Sequence, residues 1–363
     1  MSRNKGRNPD VRIPNQEKFT NSVKKNEQPS IISLLDVMED GHEFESLLKY
    51  QNIQVELTSE MRRSLTEISN LRGRPNIAYI ANVVNPNVKA SISVEYDDDL
   101  PFSELINTIP QDIRDIDIIL VTPGGSGQQV AKFVDHLRPR FDHISFILPN
   151  IAMSAGTIFA MSGDEIIMTN NSYIGPIDPQ VPGKDGRYVP AQSILTLIEE
   201  IRIKGENAIR KGMNPAWTDL QILNQIDPKE IGNALNSSKY SEELVANYLQ
   251  TYKFRTWITH STGEQVTEND RRKRAEEIAG QLCNHALWKT HGRGITRNVA
   301  WDTCKLKITH TESIANLDRA VKRFWALFYW IFENTPICKV FISDYYLLMR
   351  NDRSLIDIEN QKK

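Results

Sequence analysis

Four continuous apolar runs constrain this chain more than any other feature. NIAYIANVV (76–84), IDIILV ending at Val121, HISFILP (143–149) and EIIMT (165–169) are rich in Ile and Val and carry little polar interruption. Unbroken rather than alternating apolarity is what a strand covered on both faces needs. Between the second and third runs, residues 128–138 place Val130, Phe133, Val134 and Leu137 on one helical face. Strand, helix and strand in that order read as a parallel sheet with helices packed on it. SISVEY (91–96) reads as a further short strand.

The flanks are mostly helical. Residues 31–50 read as one or two short helices, and Thr58 to Leu71 as a longer one, with Met61, Leu65 and Ile68 on one face and Gly73 closing it. After Asp178 the segments PAQSILTLIEEIRIKG, AWTDLQILNQ, EELVANYLQTYKF and TENDRRKRAEEIAGQL all carry helical spacing. Thr267 and Asp270 there suit a capping pair. LKITH (306–310) reads as a last strand and 313–332 as an amphipathic helix. No internal repeat is present. The division expected is a disordered basic tail (1–30), a helical extension (31–57), a core (58–190), a helical region completing the fold (191–345) and a C-terminal tail (346–363).

Composition excludes several classes. With 363 residues, 44 Lys+Arg against 46 Asp+Glu and 40% apolar residues, the chain is neither a polybasic nucleic-acid binder nor wholly disordered. The average hides an asymmetry. Residues 1–26 hold seven Lys/Arg and two acids, a net +5 that leaves −7 for the remainder. That tail suits either phosphate binding or simple solubilisation. No apolar run reaches the roughly 18–20 residues of a membrane span, and the first residues, MSRNKGRNPD, lack the apolar core of a secretory signal. Cys283, Cys304 and Cys338 form no CxxC pair and fit buried thiols of a reducing compartment. A cytoplasmic protein is expected. The seven histidines offer no HExxH or comparable metal spacing, and no cofactor is expected.

Two segments carry chemistry. Thr122-Pro-Gly-Gly-Ser126 follows a buried strand, where adjacent glycines let backbone amides face a ligand; it equally suits a plain strand-to-helix turn. It is neither a Walker A loop nor GxGxxG. Ile151-Ala-Met-Ser-Ala-Gly-Thr157 follows the next strand and opens a helix. Ser154, with Ala152 and Gly156 two residues to either side, fits a nucleophile elbow or a helix N-cap. The two segments lie about 30 residues apart, one βαβ unit, so their strands can be neighbours. The amides of Gly125 and Ala155 could then converge beside Ser154 as an oxyanion hole.

At this point a resemblance appears. TPGGSGQQVAKFV, IAMSAGTIFAMSGDEIIM and YIGPIDPQV together resemble the ClpP/crotonase superfold, and within it the serine dehydrogenase proteinase family, relatives of signal peptide peptidase A. The likeness begins near Arg62, is sharpest over 117–182, and continues weakly through WKTHGRGI (288–295). It implies an α/β fold, a parallel sheet of ββα-type spiral with a helical N-terminal extension and a mostly helical C-terminal half. It further implies a serine peptidase with Ser154 as nucleophile, Gly125 and Ala155 as oxyanion donors, and extended backbone around Gly124–Gly127 pairing with a peptide strand. Homo-oligomers are common in such folds.

The base departs from the relatives. The Clp subunit carries a His about 25 residues after its Ser; here that stretch is Ile177-Asp178-Pro179. Archaeal relatives of signal peptide peptidase carry a Lys where this chain reads Val189-Pro-Ala-Gln192. Three substitutes stand open: His291 oriented by Asp178 in the order Ser…Asp…His, Lys184 in a Gly-rich loop, and Lys204, some 18 Å along its helix from Gln192. A fourth option is no base at all. The readings carried forward are a serine peptidase acting on peptides or proteins, a non-catalytic scaffold of the same fold, and an acyl-CoA enzyme, which the serine and GPIDPQ disfavour.

Overall fold

A computed structural model describes residues 32–50, 55–182 and 188–352. Among the described residues the strands are β1 (Asn76–Ala81), β2 (Asp115–Val121), β3 (His143–Leu148), β4 (Ile151–Ala152), β5 (Glu165–Met168), β6 (Tyr173–Ile174), β7 (Gln180–Pro182), β8 (Tyr188–Pro190), β9 (Ile295–Thr296), β10 (Thr309–His310), β11 (Ile337–Ser343) and β12 (Leu347–Asn351); of these, β1, β2, β3, β5 and β10 fall on runs the sequence marks as strands. The helices are α1 (Leu34–Val37), α2 (Glu43–Leu47), α3 (Leu57–Arg72), α4 (Asp99–Asn107), α5 (Gly127–Leu137), α6 (Ala155–Met161) and α7 (Ala191–Arg210). They continue as α8 (Trp217–Gln225), α9 (Pro228–Tyr248), α10 (Glu268–Cys283), α11 (His285–Trp288), α12 (Arg297–Cys304) and α13 (Leu317–Asn334).

Seven strands make the main sheet in the order β10-β5-β3-β2-β1-β11-β12. From β10 to β1 every neighbour is parallel; β11 and β12 close the far side antiparallel. Successive residues of each strand feed two different cores, as unbroken apolar runs require. Ile118 and Leu120 of β2 and Phe146 and Leu148 of β3 pack under α5, α6 and α10. Ile119, Val121 and Ile147 pack with α3 and α13 on the other face. Phe102, Phe133 and Phe159 tie α4, α5 and α6 together, with the first two rings stacked at 4.1 Å.

A second, small sheet sets the site. The chain leaves β3, crosses into β4 and enters α6, so that β3–β4–α6 is a ββα step. β4 pairs parallel with β6, and β6 pairs antiparallel with β9, placing Ala152, Ile174 and Ile295 side by side.

The structure differs from expectation at two places: LKITH contributes only β10 and is not the last strand, since β11 and β12 follow it, and a second segment forms no strand. SISVEY makes no extended strand; Val94 alone bridges Gly125. Just beyond it, Glu95 and Asp98 cap each other reciprocally and turn residues 96–98 into a 3-10 helix. The Thr267–Asp270 capping box of α10 and the left-handed Gly73 cap of α3 are as read.

Candidate active site

The two glycine- and serine-bearing strand ends are stitched together by backbone. Thr122 N–H donates to Ile151 O (2.9 Å) and Met153 N–H to Thr122 O (3.0 Å). Side by side, the loop after β2 and the elbow after β4 leave no room for side chains at the glycines. A Cβ on Gly124 would lie 2.7 Å from Ser154 Cβ and 3.3 Å from Ala155 N; one on Gly156 would collide with the Thr122 methyl. Gly124 and Gly125 also hold φ of 108° and 137°, which L side chains rarely adopt.

Ser154 sits at φ 51°, ψ −117°, one of four non-glycine residues with positive φ among those described. Its side chain does not cap α6. Ser154 thus holds the N-cap position without a side-chain cap, on a sharp, strained strand-to-helix turn. Ser154 is half-buried and Gly125 exposed, so the spot is open to solvent on one side. Among the described residues, the Gly125 and Ala155 N–H groups make no hydrogen bond. Ala155 begins α6, where an unpaired amide meets the positive end of the helix dipole.

One edge of the Gly-Gly loop is taken by this chain itself. Val94 N–H donates to Gly124 O (2.7 Å) and Ser126 N–H to Val94 O (2.8 Å). That leaves Gly125, whose own N–H and C=O point the other way along an extended backbone, as the part with free pairing groups. The Ser126 side chain caps α5 by accepting from Gln129 N–H.

Asp178 and His291 meet. Asp178 is fully buried, and its Oδ1 lies 2.8 Å from His291 Nδ1. Its other oxygen lies 2.9 Å from His285 Nδ1. As a carboxylate Asp178 only accepts, so both imidazoles donate to it through Nδ1–H. His285 opens α11, directly after α10, and no sequence motif singles it out. A carboxylate shared from a turn needs no helical spacing. The small sheet explains how these residues share a neighbourhood. Ser154 follows β4, Asp178 follows the parallel β6, and His291 precedes the antiparallel β9, so all three lie off the same end of that sheet. Thr157 locks the elbow to the Gly175-Pro-Ile-Asp178 turn, donating to Gly175 O (3.0 Å) and accepting from Gly175 N–H (2.9 Å).

Lys184 lies outside the described residues. Lys204 is exposed on α7. Among the described residues, no group of three His, Cys, Asp or Glu side chains is arranged to hold a metal ion, and no helix is long and apolar enough to cross a membrane.

A strand-helix elbow carrying a strained serine, set against a Gly-Gly loop on a parallel-rich sheet, defines the ClpP-like class of α/β folds. The chain belongs to the ClpP-like SDH-type serine proteinases, whose family profile matches residues 49–241. It is similar to two uncharacterized proteins of Methanocaldococcus jannaschii. One is 34% identical over 144 residues, which is 38% of this chain and 45% of the relative. The second is 32% identical over 155 residues, 43% of this chain and 49% of the relative. The chain thus spans about half the length of the curated relatives it matches. Among solved structures, similarity extends to the ClpP protease catalytic domain of Plasmodium falciparum (TM-score 0.21, 22% identity, 23% of this chain and 49% of that chain). It also extends to a serine-to-alanine mutant of the 1510-N membrane-bound stomatin-specific protease (TM-score 0.33, 16% identity, 60% of this chain and 74% of that chain).

Proposed function

We propose that this chain is a serine peptidase in which Ser154 is the nucleophile. The observation that carries the reading is the Ser154 backbone, held at positive φ with its side chain left out of the helix cap. Ser154 Oγ attacks the scissile carbonyl while His291 Nε2 takes its proton. The carbonyl oxygen becomes an oxyanion held by the Gly125 and Ala155 amides. The imidazolium then gives the proton to the leaving amine, and water repeats the cycle on the acyl-enzyme. Asp178 orients His291 through Nδ1–H, and His285 holds the second carboxylate oxygen and keeps Asp178 from turning. A peptide strand donates to the Gly125 carbonyl, the pairing group the oxyanion leaves free.

In this reading residues 58–190 carry the nucleophile and oxyanion loop, and 191–345 complete the fold with the base. The substrate is a peptide or protein, the working unit is a homo-oligomer, and the three buried, unpaired cysteines fit a cytoplasmic setting.

A fluorophosphonate probe is expected to label the wild-type chain at Ser154 and to leave Ser154→Ala unlabelled. His291→Gln should slow labelling by several powers of ten, and His285→Gln by much less. Labelling that survives Ser154→Ala overturns the nucleophile. Labelling lost with His285→Gln but kept with His291→Gln exchanges the two histidines. Peptide binding without any turnover or labelling returns the chain to the scaffold reading.

A further inference from the structure

The opposite end of the main sheet carries a feature that serine chemistry does not use. His143, Glu165 and Thr309 are the first residues of β3, β5 and β10, and Arg72 and Arg74 sit just ahead of β1. All five line a cleft of about 990 Å³. Ser154 lies beyond the other end of β3, roughly 15–20 Å away along the strand.

The acids of this cleft are already engaged. Asp164 accepts from Arg138 (2.9 Å) and from Ile144 N–H (2.9 Å) and pairs with Arg255 (2.6 Å). Glu165 accepts from Arg72 (3.0 Å), Ser145 Oγ (3.3 Å) and Thr309 Oγ1 (2.7 Å). Arg72 is consumed in turn by Asp117 and Glu165. The lysines are not engaged. Among the described residues, Lys253 and Lys307 make no ion pair or hydrogen bond, and Lys305 reaches only the Trp301 ring, 5.8 Å from its centroid. Arg74 donates to His143 Nδ1 (2.9 Å) and lies 3.7 Å from Asp117 at the edge of the Arg72 pair, so His143 carries its proton on Nε2 and is a further donor.

Lys253 is placed by backbone geometry. It ends a π-helical turn, Leu249–Lys253, that continues directly from α9 and terminates it. Such turns are widened and recur at functional sites. Burial pushes the Lys253 ammonium down to about 8; Lys307 adds to the effect, while Glu165 and Asp164 oppose it. Trp257 and Trp301 line the same cleft, and Trp301 is 52% exposed.

Unpaired ammonium groups around a cleft of this size attract a compact, multiply charged anion, and indole walls add stacking for a planar ring. We infer that this cleft binds a nucleoside polyphosphate, its phosphoryl oxygens on Lys253, Lys305, Lys307 and Arg74 and its base against Trp257 or Trp301. The site is independent of Ser154.

Calorimetry on the full chain with metal-free ATP, inorganic tripolyphosphate, adenosine and a short poly-glutamate peptide tests this. ATP should bind more tightly than tripolyphosphate, both should weaken with salt, and adenosine alone should give little heat. Lys253→Gln and Lys307→Gln should each weaken ATP at least tenfold. Lys211→Gln, an exposed lysine elsewhere, and Ser154→Ala should leave affinity unchanged. Lys307 is exposed, so its variant tests the site even where Lys253→Gln perturbs folding. Tripolyphosphate binding as tightly as ATP would remove the nucleoside from the assignment. Absence of binding, binding indifferent to both lysines, or a tighter poly-glutamate peptide overturns it.

Discussion

A Cβ-bearing residue held at φ 51°, ψ −117° costs of order 1–3 kcal/mol. Ser154 bears that cost because the Thr122–Met153 and Thr122–Ile151 hydrogen bonds fix the chain on one side and α6 on the other. Replacing the hydroxyl alone leaves the strain in place, whereas removing Cβ releases it. Ser154→Gly should therefore unfold at a higher urea midpoint than Ser154→Ala, by about 1 kcal/mol after glycine's larger unfolded-state entropy is subtracted. A Ser154→Gly chain no more stable than Ser154→Ala would mean that the turn is unstrained. Ser154 and its glycine neighbours were readable because small residues at fixed offsets betray a backbone that excludes side chains. The Asp178–His291 contact was one of several alternatives that the family resemblance left open. His285 was not readable, since its contact with Asp178 arises from a turn between α10 and α11 and leaves no periodic trace.

β11 shows the same limit in an element. Its run ICKVFIS is buried throughout, yet Lys339 breaks the apolar pattern that marks the other central strands. The lysine is fully buried because Asp98, also fully buried, receives its ammonium at 2.8 Å, together with Tyr79 OH at 2.9 Å. Two segments about 240 residues apart thus specify each other, which local pattern cannot reveal. The same contact holds the turn that ends SISVEY, so a misread strand and an unread strand share one cause. Removing one partner leaves the other as a buried charge, a loss of about 3–5 kcal/mol. Arg350, 3.0 Å from Asp98, should keep Lys339→Met at the low end of that range. Urea unfolding of Lys339→Met, Asp98→Asn and the double variant checks it. The double should cost clearly less than the two singles added together, and strict additivity would deny that the pair is coupled.

Across the whole molecule the parallel sheet separates two kinds of chemistry, an elbow off the strands' C-terminal side and a cationic cleft at their N-terminal ends. The sheet itself was legible, because parallel strands buried on both faces advertise themselves as apolar runs. A net charge of −2 gave no sign of the cleft, which gathers its cations from α3, α10, the turn after α9 and the segment before β10. Such a cleft carries a stability cost until a ligand fills it. Lys253 measures that cost, since its folded pKa, about 8, lies below the usual 10.5. Below pH 8 the ammonium is charged in both states and the folded chain bears the full penalty. Between about 8 and 10.5 the unfolded chain binds the extra proton, so this group's contribution to stability rises with pH and its penalty vanishes above that window. Cys283 and Cys304, pushed up by burial to about 11, act in the opposite sense over an overlapping range. The contribution of Lys253 therefore has to be read as a difference. Lys253→Met should be more stable than wild type by about 1–3 kcal/mol at pH 7, discounted for the surface Lys253 keeps. The gap should close between pH 8 and 10.5. Chemical denaturation of both chains across that range measures it. A gap independent of pH would assign the stabilisation to packing alone and leave Lys253 an ordinary solvated lysine.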